Sequence, residues 1–340
     1  MIKKYLLTCF GNPLIDVIAQ APLSLLEKYQ LRLDNAVLAN ETHNGLYEEI
    51  LKLNPLLVPG GSALNTARVA SWMLRQTFPV SFVGSLGNDK HGDLLVKLSK
   101  AEGVDLLAER QSMETGHCLV LVNNKDRSLV TSPGASRNFS DDFLRLVWPA
   151  IENSYMLYFE GFFLRSSVKA MEEIIHNAVA KDVPIGINLS SIPIVSDYID
   201  FFIKHLPHFD YIFGNEGEAL IFAQRLGIQH NTLEEVGRLL ARHKKNAHKP
   251  RNVIITRGAN PVIVAMPNRV FTVDIPLLDD SKIVDKNGAG DAFTGGFLAA
   301  AVSGCSIENC TDAGLYASNE IIQASGCQLT KDSEFVLSLV

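Results

Sequence analysis

"DKNGAGDAFTGGFLAAAVSGC" spans Asp285 to Cys305. It sets Gly288, Gly290, Gly295 and Gly296, with the acid Asp291 among them, at the mouth of an apolar helical run. Glycine weakens a helix interior by about 1 kcal/mol relative to alanine, so something must approach this backbone closely. A dinucleotide fingerprint read from Gly288 needs glycine at 293, where Phe293 stands. A Walker A loop read from Gly290 needs a lysine and a hydroxyl residue where Gly296 and Phe297 stand. What remains is a turn of small residues, Gly288, Ala289 and Gly290, that uncovers N–H groups at a helix start, where unpaired donors and the helix dipole attract an anion. Gly295 and Gly296 read as a helix–sheet packing surface, with Phe293 and Phe297 on one face. Taken alone, Asp291 reads as a first-turn cap ahead of a catalytic base.

Outward from this segment, short apolar runs alternate with helical patterns. Tyr5–Phe10, Val80–Gly84, Tyr155–Phe159, Pro184–Ser190, Tyr211–Asn215 and Arg251–Gly258 read as strands. Ser166–Ala180 and Glu216–Gly227 read as helices between them. Such alternation predicts βαβ units around a mostly parallel sheet, with ligands outside the carboxyl ends of its strands. Residues 14–58 and 115–135 break the rhythm, the second as strand, "NNKDR" turn, strand. Both are read as a small β subdomain on a larger α/β domain, the 340 residues forming one unit.

A net charge of -6 argues against nucleic-acid binding. The one basic run, Arg242 to Arg251, reads as a solvated helix end and loop. The five cysteines lack any C-x-x-C pair, which fits a reducing cytosol better than disulfides or structural zinc. Cys305 and Cys310 read as a helix end and a following turn. The apolar start is too short for a signal-peptide core or a membrane span. A cytoplasmic place, with nuclear presence left open, and a monomer are the expectations.

A second segment, "VPGGSALNTARVASWM" (Val58–Met73), joins the first. Its double glycine, followed by Asn65 on a helix, together with the G-A-G-D turn, resembles the ribokinase-like family of sugar and nucleoside kinases. "GNPLIDV", "TGHC", "DRSLV", "GFFL", "FGNEGEA" and the near-terminal "SGC" are similar to the adenosine kinases within it. The matches keep the family's order over nearly the whole chain. The resemblance implies a ribokinase-like three-layer α/β/α domain with a β lid, and ATP-dependent phosphorylation of the adenosine 5′-hydroxyl with Mg²⁺. Another purine nucleoside kinase, or a ribokinase-type sugar kinase, is the alternative on the same scaffold.

Carried over by position, Asp291 would be the general base and the N–H groups of Gly288, Ala289 and Gly290 the anion hole. Asn12, Asp16 and Asn65, with the backbone of Gly61 and Ser62, would hold the ribose. Phe163 would stack on adenine between the apolar walls Leu14, Leu38 and Leu129. Arg127 would reach the transferring phosphates from the lid. Asn215 and Glu218 would place Mg²⁺ and phosphate, Glu218 through water, while Thr256, Gly258 and Asn287 would lie on the ATP side. Asp285 would bind a monovalent cation such as K⁺. Read without the family, Asn215 and Glu218 are a helix cap and an exposed first-turn acid, Phe163 is core and Arg127 a solvated turn charge. Lys286, Ala36, Pro133, Arg137, Ile192 and Pro193 depart from the family pattern near these contacts.

Overall fold

A computed structural model of the chain describes residues 5–33, 35–123, 126–243 and 249–337. The hairpin tip at Asn124 and Lys125, and the Lys244–His248 part of the basic run, lie outside them. The strands in chain order are β1 (Tyr5–Phe10), β2 (Leu14–Gln20), β3 (Asn35–Leu38), β4 (Leu56–Gly60), β5 (Val80–Gly87), β6 (Val104–Gln111) and β7 (Thr115–Asn123). There follow β8 (Asp126–Gly134), β9 (Ser154–Glu160), β10 (Ile185–Asn188), β11 (Tyr211–Asn215), β12 (Asn252–Arg257), β13 (Asn260–Met266) and β14 (Arg269–Val273).

Nine of them form one sheet in the order β14-β13-β12-β11-β10-β9-β1-β5-β6. Every pair from β12 to β6 is parallel; β13 and β14 add an antiparallel edge. Strands buried on both faces need side chains that are apolar in both directions, hence runs such as "YMLYF". Leu7, Cys9, Phe82 and Tyr158 face the helices Ser62–Met73, Ala289–Val302 and Ile307–Ile321. Phe10, Val83, Leu157 and Phe159 face the helices on the other side. This is the expected three-layer α/β/α arrangement, with a mostly parallel sheet.

The chain leaves β1 toward β5 on one side and returns through β9 on the other, so strand order reverses between β1 and β9. In open α/β sheets the crevice for ligands lies at that point. The remaining strands pair as β3-β8-β7-β2-β4, a second sheet drawn from residues 14–60 and 115–134. One of its faces carries Ile18, Val58, Cys118 and Val120, with Leu14 and Leu129 packed against them. Its other face packs Val17, Leu119 and Leu121 into the first core beneath Leu25, Leu46 and Ile50. Gly61 carries the chain between the sheets at φ +94°, and a methyl there would stand 2.2 Å from the Asn12 carbonyl oxygen. Only glycine fits that crossing.

Gly295 and Gly296 face helices rather than the sheet. A methyl on Gly295 would stand 2.7 Å from Thr66 O, and one on Gly296 2.4 Å from Ala313 O. Phe297 supplies the sheet contact instead, its ring 5.2 Å from that of Phe213 and 5.9 Å from that of Tyr211. Cys310 is not in a turn: it is buried in the first turn of the helix Ile307–Ile321. Among the described residues no disulfide joins any of the five cysteines, and no helix is long and apolar enough to cross a membrane.

Candidate active site

The helix Ala289–Val302 starts on Gly288, which stands at φ +78° and offers no side-chain cap. Ala289 N–H folds back onto the Lys286 carbonyl at 3.3 Å. Among the described residues, no acceptor meets the N–H groups of Gly288, Gly290 and Asp291. The free donors are therefore Gly288, Gly290 and Asp291, with Ala289 partly engaged, which shifts the expected set by one residue. A side chain at Gly290 would meet open space, so the turn faces outward, unobstructed.

Asp291 does not cap its helix. Its carboxylate accepts from Ser62 Oγ at 2.8 Å and from Asn65 Nδ2 at 3.1 Å, both on the facing helix Ser62–Met73. Burial pushes its pKa up to about 6, the donors Asn65 and Ser62 opposing. Asn65 is oriented in turn: its Oδ1 accepts from Arg68 at 3.0 Å. Arg68, wholly buried, also binds the carbonyls of Pro59 and Cys327 and pairs with Glu102. That chain fixes which end of the Asn65 amide points at Asp291.

Asp16 lies on β2 opposite Val58 and Cys118, and is buried. Burial pushes it up to about 7; Arg68 opposes this, while Asp291 and Asp285 add to it. Asn12 follows β1, its Nδ2 donating to Phe162 O at 3.3 Å and its Oδ1 accepting from Ser166 at 2.7 Å. Asn12, Asp16, Gly61, Ser62, Asn65 and Asp291 thus converge on the switch point of the sheet. Hydroxyls of a sugar would find there both carboxylate acceptors and amide donors.

Phe163 does not join them. It is completely buried, its ring 5.3 Å from Phe139, 6.1 Å from Phe10 and 6.5 Å from Phe159, and no face is free for a base. The short helix Gly161–Arg165 turns its neighbour Phe162 outward instead, partly exposed beside Asn12. Leu14 and Leu129 are half-buried and Leu38, at the end of β3, is 45% exposed. A cavity of about 610 Å³ opens between this edge of the second sheet and the glycine turn, lined by Ala36, Arg127, Leu129, Lys286 and Asn287 among others.

Arg127 is not a solvated turn charge. Its guanidinium pairs with Asp285 and donates to Val284 O at 2.8 Å, almost fully buried. Asp285 also accepts from Asn287 N at 2.7 Å and Gly326 N at 2.5 Å. A carboxylate already holding a guanidinium and two backbone donors does not fit a monovalent cation, so the expected K⁺ site is not supported. Asp285 ties together β8, the glycine turn and the near-terminal "SGC" segment.

Asn215 and Glu218 form a reciprocal cap at the start of the helix Glu216–Arg225. Asn215 Oδ1 accepts from Glu218 N, and Glu218 accepts from Asn215 N and Nδ2. Both oxygens of Glu218 are engaged, and its burial pushes its carboxyl up. Oxygen ligands of this kind suit Mg²⁺ through water rather than directly. Thr256 pairs in register with Asn215, placing both at adjacent strand ends, and Gly258 follows at φ +61° in open space. Among the described residues no three His, Cys, Asp or Glu side chains form a metal site.

Two residues escaped the sequence reading. Arg68 is a lone cation in an apolar helix, and Glu160 an acid closing an apolar strand; either anomaly is a visible signal of a buried polar task.

Comparisons with known proteins place the chain among relatives. The model of the pfkB family carbohydrate kinases matches residues 35–334. Adenosine kinase 1 of Arabidopsis thaliana is 37% identical over 330 residues, 96% of each chain. Adenosine kinase of Dictyostelium discoideum is 36% identical over 94% of each. The crystal structure of Anopheles gambiae adenosine kinase, in complex with P1,P4-di(adenosine-5) tetraphosphate, superposes with a TM-score of 0.90 at 33% identity, covering 97% of this chain and 99% of that one. A Schistosoma mansoni adenosine kinase in complex with 2-fluoroadenosine gives 0.89 at 29% identity, covering 98% and 100%.

Proposed function

Since the chain belongs to the pfkB family of carbohydrate kinases and, within it, to the adenosine kinases, we propose that it transfers the γ-phosphoryl group of ATP to the 5′-hydroxyl of adenosine, giving AMP and ADP. The observation that carries the mechanism is Asp291: an ionisable carboxylate, uncapping, beside unpaired N–H groups at a helix start. It takes the 5′-hydroxyl proton as the new O–P bond forms and the bond to the departing β-phosphate oxygen breaks. Phosphoryl transfer needs mainly positioning and charge stabilisation. The N–H groups of Gly288, Gly290 and Asp291 supply the second, in a turn where no side chain stands in the way.

Ser62 and Asn65 aim the Asp291 carboxylate, and Asp16 and Asn12 take the ribose hydroxyls with the backbone of Gly61 and Ser62. The adenine lies against Phe162, with Leu14, Leu38 and Leu129 as apolar walls. ATP lies along Asn215, Thr256, Gly258 and Asn287. Mg²⁺, arriving with the nucleotide and held through water by Glu218, would neutralise phosphate charge. The second sheet acts as the lid, excluding water so that transfer prevails over hydrolysis. Arg127 reaches phosphate only after leaving Asp285.

The test compares kcat/KM for adenosine, inosine, guanosine and ribose with ATP. Adenosine should exceed ribose by at least about a hundredfold, since only a nucleoside fills the apolar walls. Equal values would remove the nucleoside reading and leave a sugar kinase.

A further inference from the structure

At the point where strand order reverses, β9 ends in Glu160, an acid that none of the roles above employs. Its side chain is 1% exposed. Oε1 accepts from Asn12 N and Oε2 from Ala63 N, each at 2.6 Å. The two partners belong to different segments. Asn12 begins the link from β1 into the second sheet, and Ala63 lies in the first turn of the helix that carries Ser62 and Asn65. That helix starts on Gly61, which has no side chain to cap it, so Glu160 supplies the missing acceptor from a strand 97 residues away. The packing leaves no play: a methyl on Gly11 would stand 2.5 Å from the Glu160 carboxyl carbon and 2.7 Å from Ala63 Cβ.

We infer that Glu160 is a positioning residue for the nucleoside, one carboxyl group that sets the distance between the Asn12 loop and the Ser62–Asn65 turn and so fixes the width of the ribose seat. It rests on the adenosine reading and adds to it a group that touches no substrate. A helix cap alone would need one oxygen; the second oxygen on Asn12 is what converts a cap into a spacer. The acid also works at a cost. Burial pushes its carboxyl up to about 8, the two backbone donors opposing and Asp291 adding. An acid kept there against that burial is one whose geometry is used.

Glu160→Gln keeps the shape and one acceptor but turns an NH₂ group against the second N–H, leaving a buried donor unmet. The adenosine KM should rise about tenfold or more, while the KM for ATP stays within about twofold. A purely structural acid would lower the melting temperature with both KM values unchanged, and a general loosening would raise both together; either result overturns the proposal. Should the variant fail to fold, amide exchange in the wild-type protein decides. Protection of the Asn12 and Ala63 amides should increase with adenosine and not with ATP, and no adenosine-dependent increase overturns it. Because wild-type adenosine turnover is measured alongside, loss of the adenosine reading itself would show separately.

Discussion

Two adjacent phenylalanines, Phe163 enclosed in the core and Phe162 partly exposed, can be separated by substitution. Phe163 is fully enclosed, with the rings of Phe10, Phe139 and Phe159 around it. Removing such a side chain forfeits burial and leaves a cavity, about 3–5 kcal/mol for Phe163→Ala. Phe162 is only partly buried, so Phe162→Ala forfeits little of the fold. What it loses is a stacking face, worth about 1–3 kcal/mol per base by alanine substitution, or roughly five- to 150-fold in affinity. Urea denaturation and steady-state kinetics on both variants should therefore cross over. Phe163→Ala should lose stability with its adenosine KM within about threefold of wild type, and Phe162→Ala should keep its stability while its adenosine KM rises at least about fivefold. The reverse pattern would return the base-stacking role to Phe163 and refute the reasoning from burial.

Other expectations follow from the same geometry. Asp291 must be ionised to accept a proton, so kcat should rise with pH through about 6 and level off above it; a rate that falls over that interval contradicts this. Asp16, Asp291 and Glu160 all have folded pKa values raised above their unfolded ones, so the folded state holds protons that the unfolded state has lost. Their combined effect is to lower stability as pH rises from about 4 to about 8, which thermal melts of the wild-type enzyme and of Asp291→Asn at pH 5 and pH 8 would read as a larger gain for the variant at pH 8. Because Arg127 occupies Asp285, replacing K⁺ by a bulky organic cation should leave kcat within about twofold, and more than tenfold activation by K⁺ would restore the cation site. Gly296→Ala drives a methyl against Ala313 O and should cost about 1–3 kcal/mol of stability, whereas Gly290→Ala meets open space and should spare the fold while slowing transfer.

The parallel strands were legible because burial on both faces forces continuous apolar runs, and Tyr5–Phe10 and Tyr211–Asn215 emerge with their expected ends. β6 was not, since "VDLLAERQ" mixes charge into a strand packed on fewer neighbours near the sheet edge. At the site, the glycine turn and Asn65 could be located from the spacing of small residues. Whether Asp291 caps or reacts could not, because capping is decided by where a carboxylate points, and Ser62 and Asn65 turn it away from its own helix from more than 220 residues off. The same holds for Phe162 against Phe163: a resemblance delivers the pair, and only the turn of Gly161–Arg165 says which ring faces out. Asn215 and Glu218 show a mixed case: the local capping signature was readable and the structure keeps it, but Glu218 is buried where the sequence alone suggested an exposed first-turn acid.

The central claim is that Asp291 removes the 5′-hydroxyl proton. Asparagine at 291 can still accept from Ser62 or Asn65, and loses only the ability to take a proton. Single-turnover phosphoryl transfer by Asp291→Asn, with adenosine binding and melting measured on the same preparation, isolates that loss. The protein should fold and bind adenosine, and transfer phosphate at least about a hundredfold more slowly. A folded, adenosine-binding Asp291→Asn enzyme that turns over at near the wild-type rate would contradict the mechanism.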